Sequence, residues 1–497
     1  MISKFHSLRG LSGDALLLTF IRLVTMALSF AVTRLLSQQL TVYDYGTYSQ
    51  ILLIVSTVSS LAILGMADGV NYFFCSEGDS GQRESYIATL YLAQCIISAV
   101  SGCLVMLFSA PIAVGLGNDE VKRYLAYAAV LPMLQNLLSM TQVLLVSVGR
   151  ARLLALRNLA VSLIRLCVVL LMIAWTQSIG MLLLATVLLD AGQLLFFLWT
   201  LCKSGSVIRL SKANFRLLPR IMAYTLPMAV FTLLSTVNRD CDKYVIAALT
   251  DTETLAVYAN ASKMLPFDIV LTSFSTVMLP ALTKRIAEGK RRDALRLYQR
   301  FFEIVYGSTA VMVCAALVVS PQLMELLYTE KYLSGYSIFV VYIAVDFVRV
   351  TNITLVLSAA GRTKPLMLLA IGSAAANLAL DVLLFSCLGT IGPAVATLAV
   401  TGVTGLLMMH LSAKELGGST FDLFDAPFLA RFAAANGVLS ALLLALRVRM
   451  EQAGVSDWLT LLLLCAAYGL AMCALYGRRL LRDLRDISSV SQGRAER

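Results

Sequence analysis

The chain has 497 residues, of which 59% are hydrophobic and only 14% are charged, and its mean hydropathy is +0.81. Soluble domains carry about 25% charged residues, so this composition excludes a water-soluble fold. A formal charge of +11 would suggest nucleic-acid binding in a soluble protein, but in a membrane protein Lys and Arg report topology, and we expect no nucleic-acid partner.

Apolar stretches long enough to cross a bilayer recur along the chain, separated by short polar breaks. Roughly 20 apolar residues make one membrane-spanning helix, so the pattern predicts an all-α polytopic membrane protein with about 14 transmembrane helices. The first run is longer than a signal-peptide core, and we expect it to be retained. The predicted spans are 15–36, 46–68, 86–109, 123–148, 153–175, 178–202, 221–248, 254–282, 303–327, 335–359, 365–388, 391–411, 428–446 and 457–476.

Lys and Arg are distributed unevenly between the two sides of this topology. If the N-terminus is cytoplasmic, the inward segments hold 28 of the 40 basic residues and the outward loops hold five. Cytoplasmic loops carry an excess of Lys and Arg, so the sequence predicts that both termini are cytoplasmic. The basic segment 283–300 has two interpretations, a topology signal or a surface helix that contacts anionic head groups.

Three short matches at nearly one spacing indicate an internal repeat. Each match falls at the same place in a six-span half. Because six is an even number, the two halves have the same orientation, which is the parallel type of repeat. The sequence therefore predicts a six-helix bundle at 1–205, a second at 206–415, and two extra helices with a basic cytoplasmic tail at 416–497. The matches are Gly149-Arg150 with Gly361-Arg362 and Ile179-Gly180 with Ile391-Gly392, 212 residues apart, and Tyr43 to Tyr48 with Glu253 to Tyr258, 210 apart.

Three blocks of short motifs occur in a fixed order along the chain. They are Arg34-Leu-Leu with Tyr45-Gly-Thr-Tyr48, Asp242-Lys243 with Val257 to Lys263, and Gly361-Arg-Thr-Lys with Asn377 to Leu380 and Gly389 to Thr397. In order and spacing they resemble the polysaccharide flippases, for O-antigen and other lipid-linked oligosaccharides, of the multidrug, oligosaccharidyl-lipid and polysaccharide exporter superfamily. The chain departs from the family pattern at Thr41-Val-Tyr, where a Pro commonly precedes the Tyr-Gly pair, and at Ala256, where the family has Gly.

The resemblance implies a flippase in the bacterial inner membrane. Its substrate would be a polyprenyl-diphosphate-linked oligosaccharide, moved from the cytoplasmic to the outer leaflet by alternating access for cell-surface polysaccharide synthesis. We expect a monomeric transporter, not an enzyme, without cofactor or metal site, and with H⁺ or Na⁺ as the coupling ion.

Two other functions stay open. A drug exporter of the same superfamily would favour an acid-lined cavity for organic cations. A membrane-embedded glycan polymerase or ligase would need catalytic groups on a large external loop, and no predicted external loop exceeds about fifteen residues.

We take seven basic and seven acidic residues of the predicted spans, apart from others near span ends, as intramembrane charges. An ionisable group there costs about 2.5–3.5 kcal/mol and usually faces a cavity or a partner. A diphosphate head group is held best by guanidinium or ammonium donors. The alternative to substrate binding for Arg22 is that its side chain extends to the cytoplasmic interface. For Arg165 the alternative is that Asp190 neutralises its charge. For Arg239 the alternative is a local ion-pair cluster. The candidate substrate-binding residues are Arg22, Arg165, Arg239 and Lys263.

Asp381 and Asn377 are the candidate residues for binding the coupling ion. They are four residues apart and share one face of the predicted eleventh span, and carboxylate and amide oxygens are ligands that hard cations prefer. The alternative is that Asp381 is an ion-pair partner of Arg349 on the preceding span. The i,i+3 spacing of Asp346 and Arg349 predicts a local salt bridge.

Overall fold

Helices form all of the regular structure that the computed structural model describes. The predicted all-α fold is therefore confirmed for this part of the chain. The described residues are 24–76, 80–147, 151–175, 178–203, 208–263, scattered positions within 264–287, and then 288–328, 330–351 and 354–491.

The helices follow one another with short connections. In the first half they are α1 (24–39), α2 (Val42–Ala62), α3 (Met66–Ser76), α4 (Ser80–Leu107), α5 (Ser109–Gly115), α6 (Glu120–Ser147), α7 (Ala151–Trp175), α8 (Ile179–Lys203), α9 (Leu218–Leu249) and α10 (Thr252–Ala261). In the second half they are α11 (Arg291–Val318), α12 (Ser320–Leu327), α13 (Tyr336–Arg349), α14 (Leu355–Ala359), α15 (Thr363–Leu388), α16 (Gly392–Leu416), α17 (Ala426–Gln452) and α18 (Asp457–Ser491).

Eight of the described helical segments are long and apolar enough to cross a membrane, or nine if the bent pair α2 and α3 forms one span. One of the eight, Lys364–Leu416, contains most of α15 and all of α16. The chain is therefore a multi-pass membrane protein, as predicted. The number fourteen stays a prediction.

The predicted second span, 46–68, is broken in the structure. Helices α2 and α3 meet at 44°, and between them Leu64 and Gly65 have φ angles of 43° and 67°. A positive φ interrupts the helical hydrogen-bond ladder and is uncommon for a residue such as leucine. Beyond the bend, a Cβ added at Gly69 would lie 2.8 Å from Cγ2 of Thr225, so α3 packs closely against α9 at this point.

The contacts divide the chain into two compact units. Unit 1 contains the residues up to Asp240 together with Ala247–Val257, and unit 2 contains Cys241–Ile246 and the residues from Tyr258 onward. In unit 1 the core lies between α3, α4, α6 and α8. In unit 2, helix α11 packs against α13, α17 and α18. The predicted division into 1–205, 206–415 and 416–497 stays a prediction.

The first turns of α2 and α10 are built in the same way, 210 residues apart. Thr41 accepts a hydrogen bond from the backbone N–H of Asp44 at 3.0 Å, and Asp251 accepts one from that of Thr254 at 2.7 Å. Such caps satisfy backbone donors that have no partner within the helix. In unit 1, a Cβ added at Gly46 would lie 2.2 Å from the carbonyl oxygen of Thr252, so the starts of α2 and α10 approach to backbone contact.

The two C-terminal helices are tied to α11 within unit 2. Arg479 donates to Glu303 at 2.9 Å and to Asp425 at 2.8 Å, and its guanidinium lies 3.7 Å from the ring centroid of Phe428. One arginine on α18 thus joins α11 to the start of α17.

Candidate functional site

The structure places three of the four predicted substrate-binding cations, because Arg22 lies outside the described residues. Arg165 is exposed on α7, and its guanidinium donates to the hydroxyl of Tyr48 at 3.4 Å. Arg239 pairs with Asp240 at 3.3 Å in unit 1. Lys263 is half-buried and belongs to unit 2. The role of these residues in binding stays a prediction.

A polar network surrounds the predicted neutralising acid of Arg165. Asp190 on α8 is within electrostatic range of both Arg165 and Arg157, and it accepts a hydrogen bond from Gln193 at 3.2 Å. The amide oxygen of Gln193 accepts from Arg157, whose guanidinium also lies over the ring of Phe197 at 4.7 Å. Asp190 is therefore within range of the charge of two arginines, and whether it neutralises Arg165 stays an open alternative.

The predicted coupling residues lie together on α15, inside unit 2. Asp381 is completely buried, and Asn377, one turn earlier, is 1% exposed. Among the described residues, neither carboxylate oxygen of Asp381 has a hydrogen-bond partner or an ion-pair partner. The Cys241 thiol lies beside it, with a geometry that falls short of a hydrogen bond to either oxygen. Arg349 lies 3.8 Å from Asp346, as the i,i+3 spacing predicted, and forms no ion pair with Asp381.

A second buried acid lies next to Asp381. Asp242 on α9 is 1% exposed and is within electrostatic range of Asp381. One of its carboxylate oxygens accepts hydrogen bonds from the hydroxyls of Tyr258, at 2.8 Å, and of Tyr342. The other oxygen is buried and has no hydrogen-bond partner in the described part of the chain. The two carboxylates therefore differ, because Asp242 receives two donors and Asp381 receives none.

Helices α13 and α10 carry the two tyrosines, Tyr342 and Tyr258. Tyr342 is on α13, and one turn later Asp346 accepts a hydrogen bond from the backbone N–H of Leu265 at 2.9 Å. That bond joins α13 to the segment that follows α10, and α10 itself carries Tyr258. The rings of Tyr258 and Tyr342 meet edge to face with centroids 6.3 Å apart, and the hydroxyl of Thr397 on α16 lies near Tyr342. Five helices thus contribute to the site, because α9 and α15 carry the acids and α10, α13 and α16 contribute hydroxyl groups.

This arrangement is suited to bind a proton or a small cation. Two carboxylates in one buried site need compensating charge or protons, because each buried charge costs several kcal/mol, and Lys243 is within electrostatic range of Asp242. Carboxylate, amide and hydroxyl oxygens are ligands for hard cations. The described residues contain no group of three or more His, Cys, Asp and Glu side chains of the kind that a multivalent metal uses. The two carboxylates, the amide of Asn377 and the two tyrosine hydroxyls thus offer proton sites and oxygen ligands in one buried place.

Sequence reasoning found one side of this site and missed the other. The sequence marks Asp242 only as part of the Asp242-Lys243 motif and predicts no role for it, whereas in the structure its carboxylate accepts hydrogen bonds from two tyrosines. Tyr342 was not singled out. The signal in the sequence is that Asp242 and Asp381 each lie deep in an apolar span. Spacing within one helix does not show which helices are neighbours, so it does not predict that the two acids meet.

The chain matches known proteins in sequence and in fold. Residues 31–336, more than half of the chain, match the model of a family described as polysaccharide biosynthesis protein. A probable lipid II flippase MurJ of Rhizobium meliloti strain 1021 is 26% identical over 225 residues. That match covers 43% of this chain and 42% of the relative, so the chain spans less than half the length of this curated relative.

Two solved structures have a similar fold. The lipid II flippase MurJ in an inward closed conformation superposes with a TM-score of 0.73 at 14% identity, covering 94% of this chain and all of that one. An inward-facing multidrug resistance MATE transporter of the MOP superfamily gives 0.64 at 13% identity, covering 79% and 94%. These relatives are flippases and transporters, not enzymes, in agreement with the prediction. As the motifs indicated, the chain belongs to the polysaccharide biosynthesis protein family.

Proposed function

We propose that this protein is a flippase that moves a polyprenyl-diphosphate-linked oligosaccharide from the cytoplasmic to the outer leaflet of a bacterial inner membrane by alternating access. The observation that carries the proposal is the combination of family membership with the fold of a lipid II flippase over 94% of the chain. Both the curated relative and that solved structure are named as flippases of a lipid.

The second candidate function is drug export. It is favoured by the fold match to a multidrug transporter and by the buried acid pair in unit 2, since acids attract organic cations. Binding separates the two functions. We expect a lipid-linked diphosphate oligosaccharide to bind the purified protein and an organic cation such as a rhodamine dye not to compete with it. Binding of the dye alone would favour drug export.

For the substrate, we propose that Arg22, Arg165, Arg239 and Lys263 supply the positive charge that holds the diphosphate. The exposure of Arg165, whose one side-chain hydrogen bond among the described residues is to the neutral hydroxyl of Tyr48, supports this role for that residue. Arg22→Ala is expected to lower export about 10–100-fold, because a charge-assisted hydrogen bond contributes about 1.5–3 kcal/mol. Arg22→Lys should restore part of it, since it keeps the charge and loses the bidentate geometry.

The readout for Arg22 is surface polysaccharide in cells that lack the native protein, normalised to the amount of protein in the membrane. Normal export by Arg22→Ala would remove this residue from the site. Equal loss in Arg22→Ala and Arg22→Lys would show that shape rather than charge is required there.

For the driving force, we propose that Asp381 and Asn377, joined by Asp242, bind the coupling ion, H⁺ or Na⁺. The burial of both acids and the unpartnered oxygens of Asp381 support this. If the acid pair binds and releases the coupling ion once per transport cycle, ion binding is linked to the rearrangement of α9 and α15, the helices that carry the two acids.

For topology, we propose that both termini and the 283–300 segment are cytoplasmic. In a cysteine-free background, a cysteine at exposed Lys290 should escape a membrane-impermeant thiol reagent in intact cells and react once the cells are opened. The matched control is a cysteine at exposed Lys331, on the opposite side, which should react in intact cells. Efficient labelling at Lys290 in intact cells would contradict the orientation.

The fourteen-span repeat stays part of this proposal, and helix lengths support it. Helices α4 and α11 each have 28 residues and begin 211 residues apart, and α8 and α16 each have 25 and begin 213 apart. Two pairs of helices with equal lengths, at nearly one spacing and in the same order, fit a duplication.

A further inference from the structure

A short connection in unit 2 builds an open cavity at the membrane boundary. Residues 417–425 join α16 to α17, both of which lie in candidate membrane spans, and α11 begins its own span beside them. Because three spans end here, the connection lies where hydrocarbon meets water. It encloses a cavity of about 500 Å³, which we name the loop cavity and which is lined by His410, Lys414, Phe421 and residues 417–420.

The loop cavity carries positive charge that is not neutralised. Lys414 lines it and is exposed, and no ion pair or side-chain hydrogen bond joins Lys414 to another described residue. Exposed Arg291 lies beside the cavity, since its Cδ would be 3.9 Å from a Cβ added at Gly417, and it too has no ion pair or side-chain hydrogen bond to another described residue. The nearby acids are already engaged. Asp422 accepts from the backbone N–H of Ser419 at 2.7 Å, and Glu415 accepts from a neighbouring arginine at 3.0 Å.

The rim of the loop cavity is held by hydrogen bonds and carries an exposed aromatic ring. Gln299 on α11 donates to the backbone carbonyl of Asp422 at 2.6 Å, and Ser419 and Asp422 form a capping box that closes the turn. Phe421, in the middle of this turn, is 75% exposed. An aromatic side chain held outward beside unpaired cations at a bilayer boundary is the arrangement by which proteins contact the lipid interface.

We propose that the loop cavity binds the glycerophosphate head group of an anionic phospholipid, with Lys414 and Arg291 on the phosphate and Phe421 among the acyl chains. The hydroxyl groups of Ser419 and Thr420 line the cavity and supply further donors. The surplus of cations selects an anionic over a zwitterionic lipid. This inference concerns a structural lipid rather than the transported substrate, so it holds or fails independently of the flippase proposal.

The test measures binding of phosphatidylglycerol and phosphatidylcholine to the purified full-length protein by native mass spectrometry. Lys414→Gln and Arg291→Gln should each weaken phosphatidylglycerol binding about fivefold, the change expected for one interfacial cation, and leave phosphatidylcholine binding unchanged. Lys414→Arg should keep the affinity. Phe421→Ser should weaken binding of the diacyl lipid but not of soluble glycerol phosphate.

The matched control is Arg449→Gln, which removes one exposed cation from the other end of α17 and should not change phosphatidylglycerol binding. Equal weakening by Arg449→Gln would show that only net charge matters and would overturn the site. So would displacement of the lipid by inorganic phosphate at equal concentration, which would show that the cavity takes a free anion instead.

Discussion

Asp381→Asn is expected to abolish cation-driven transport while leaving the protein folded. Asparagine has the same shape as the aspartate but cannot take up a proton or neutralise a cation. Loss of even an outer partner of a bound ion costs about 10–100-fold in affinity, so loss of this ligand should lower apparent cation affinity by at least that factor. The substitution also removes a buried carboxylate that has no hydrogen-bond partner among the described residues, so the melting temperature should stay the same or rise.

The measurement is the rate of transport in proteoliposomes as a function of an imposed H⁺ or Na⁺ gradient. The matched control is Asp346→Asn, a buried acid of the same unit whose carboxylate is already satisfied by Leu265 and Arg349. That variant should lower the melting temperature and keep the gradient dependence of the folded protein. Gradient-dependent transport by Asp381→Asn at the normal rate would contradict the coupling role.

Gly46→Ala is expected to destabilise unit 1 strongly. The new Cβ would lie 2.2 Å from the backbone carbonyl oxygen of Thr252, a distance that real Cβ atoms do not adopt. Because the obstacle is backbone rather than the end of a flexible side chain, the starts of α2 and α10 must move apart. Forcing an extra carbon into a close-packed site costs about 1–3 kcal/mol, and this contact belongs at the upper end of that range.

Thermal unfolding in detergent measures the effect of Gly46→Ala. Gly192→Ala on α8 is the matched control, because a Cβ there meets no atom within 4 Å. In a helix that replacement should stabilise by about 0.5–1 kcal/mol. A melting temperature of Gly46→Ala equal to that of the unchanged protein would show that the helices are not in contact at this point.

Apolar run length predicted most helices because each bilayer crossing is a local property of the chain. The predicted spans 153–175 and 365–388 coincide closely with α7 and α15. The break between α2 and α3 escaped prediction because the bend sits at Leu64 and Gly65, inside an apolar run whose hydropathy does not change. Backbone conformation at such a point depends on packing against other helices.

In the candidate site, contacts within one helix could be predicted from the sequence, and contacts between helices could not. The pairing of Asn377 with Asp381 follows from helical spacing within one span. The meeting of Asp381 with Asp242 joins residues on α15 and α9, and that of Asp242 with Tyr342 joins α9 and α13. Spacing within a helix carries no information on which helices are neighbours, so these contacts required the fold.

The most direct test of the account is flipping by the purified chain in proteoliposomes that contain a fluorescent polyprenyl-diphosphate oligosaccharide. Loss of accessibility to a membrane-impermeant quencher on the loaded side reports movement across the bilayer. We predict movement that depends on an imposed H⁺ or Na⁺ gradient and that is lost in Arg22→Ala and Asp381→Asn. Efflux of an organic cation dye with no movement of the lipid-linked oligosaccharide would contradict the account and identify a drug exporter.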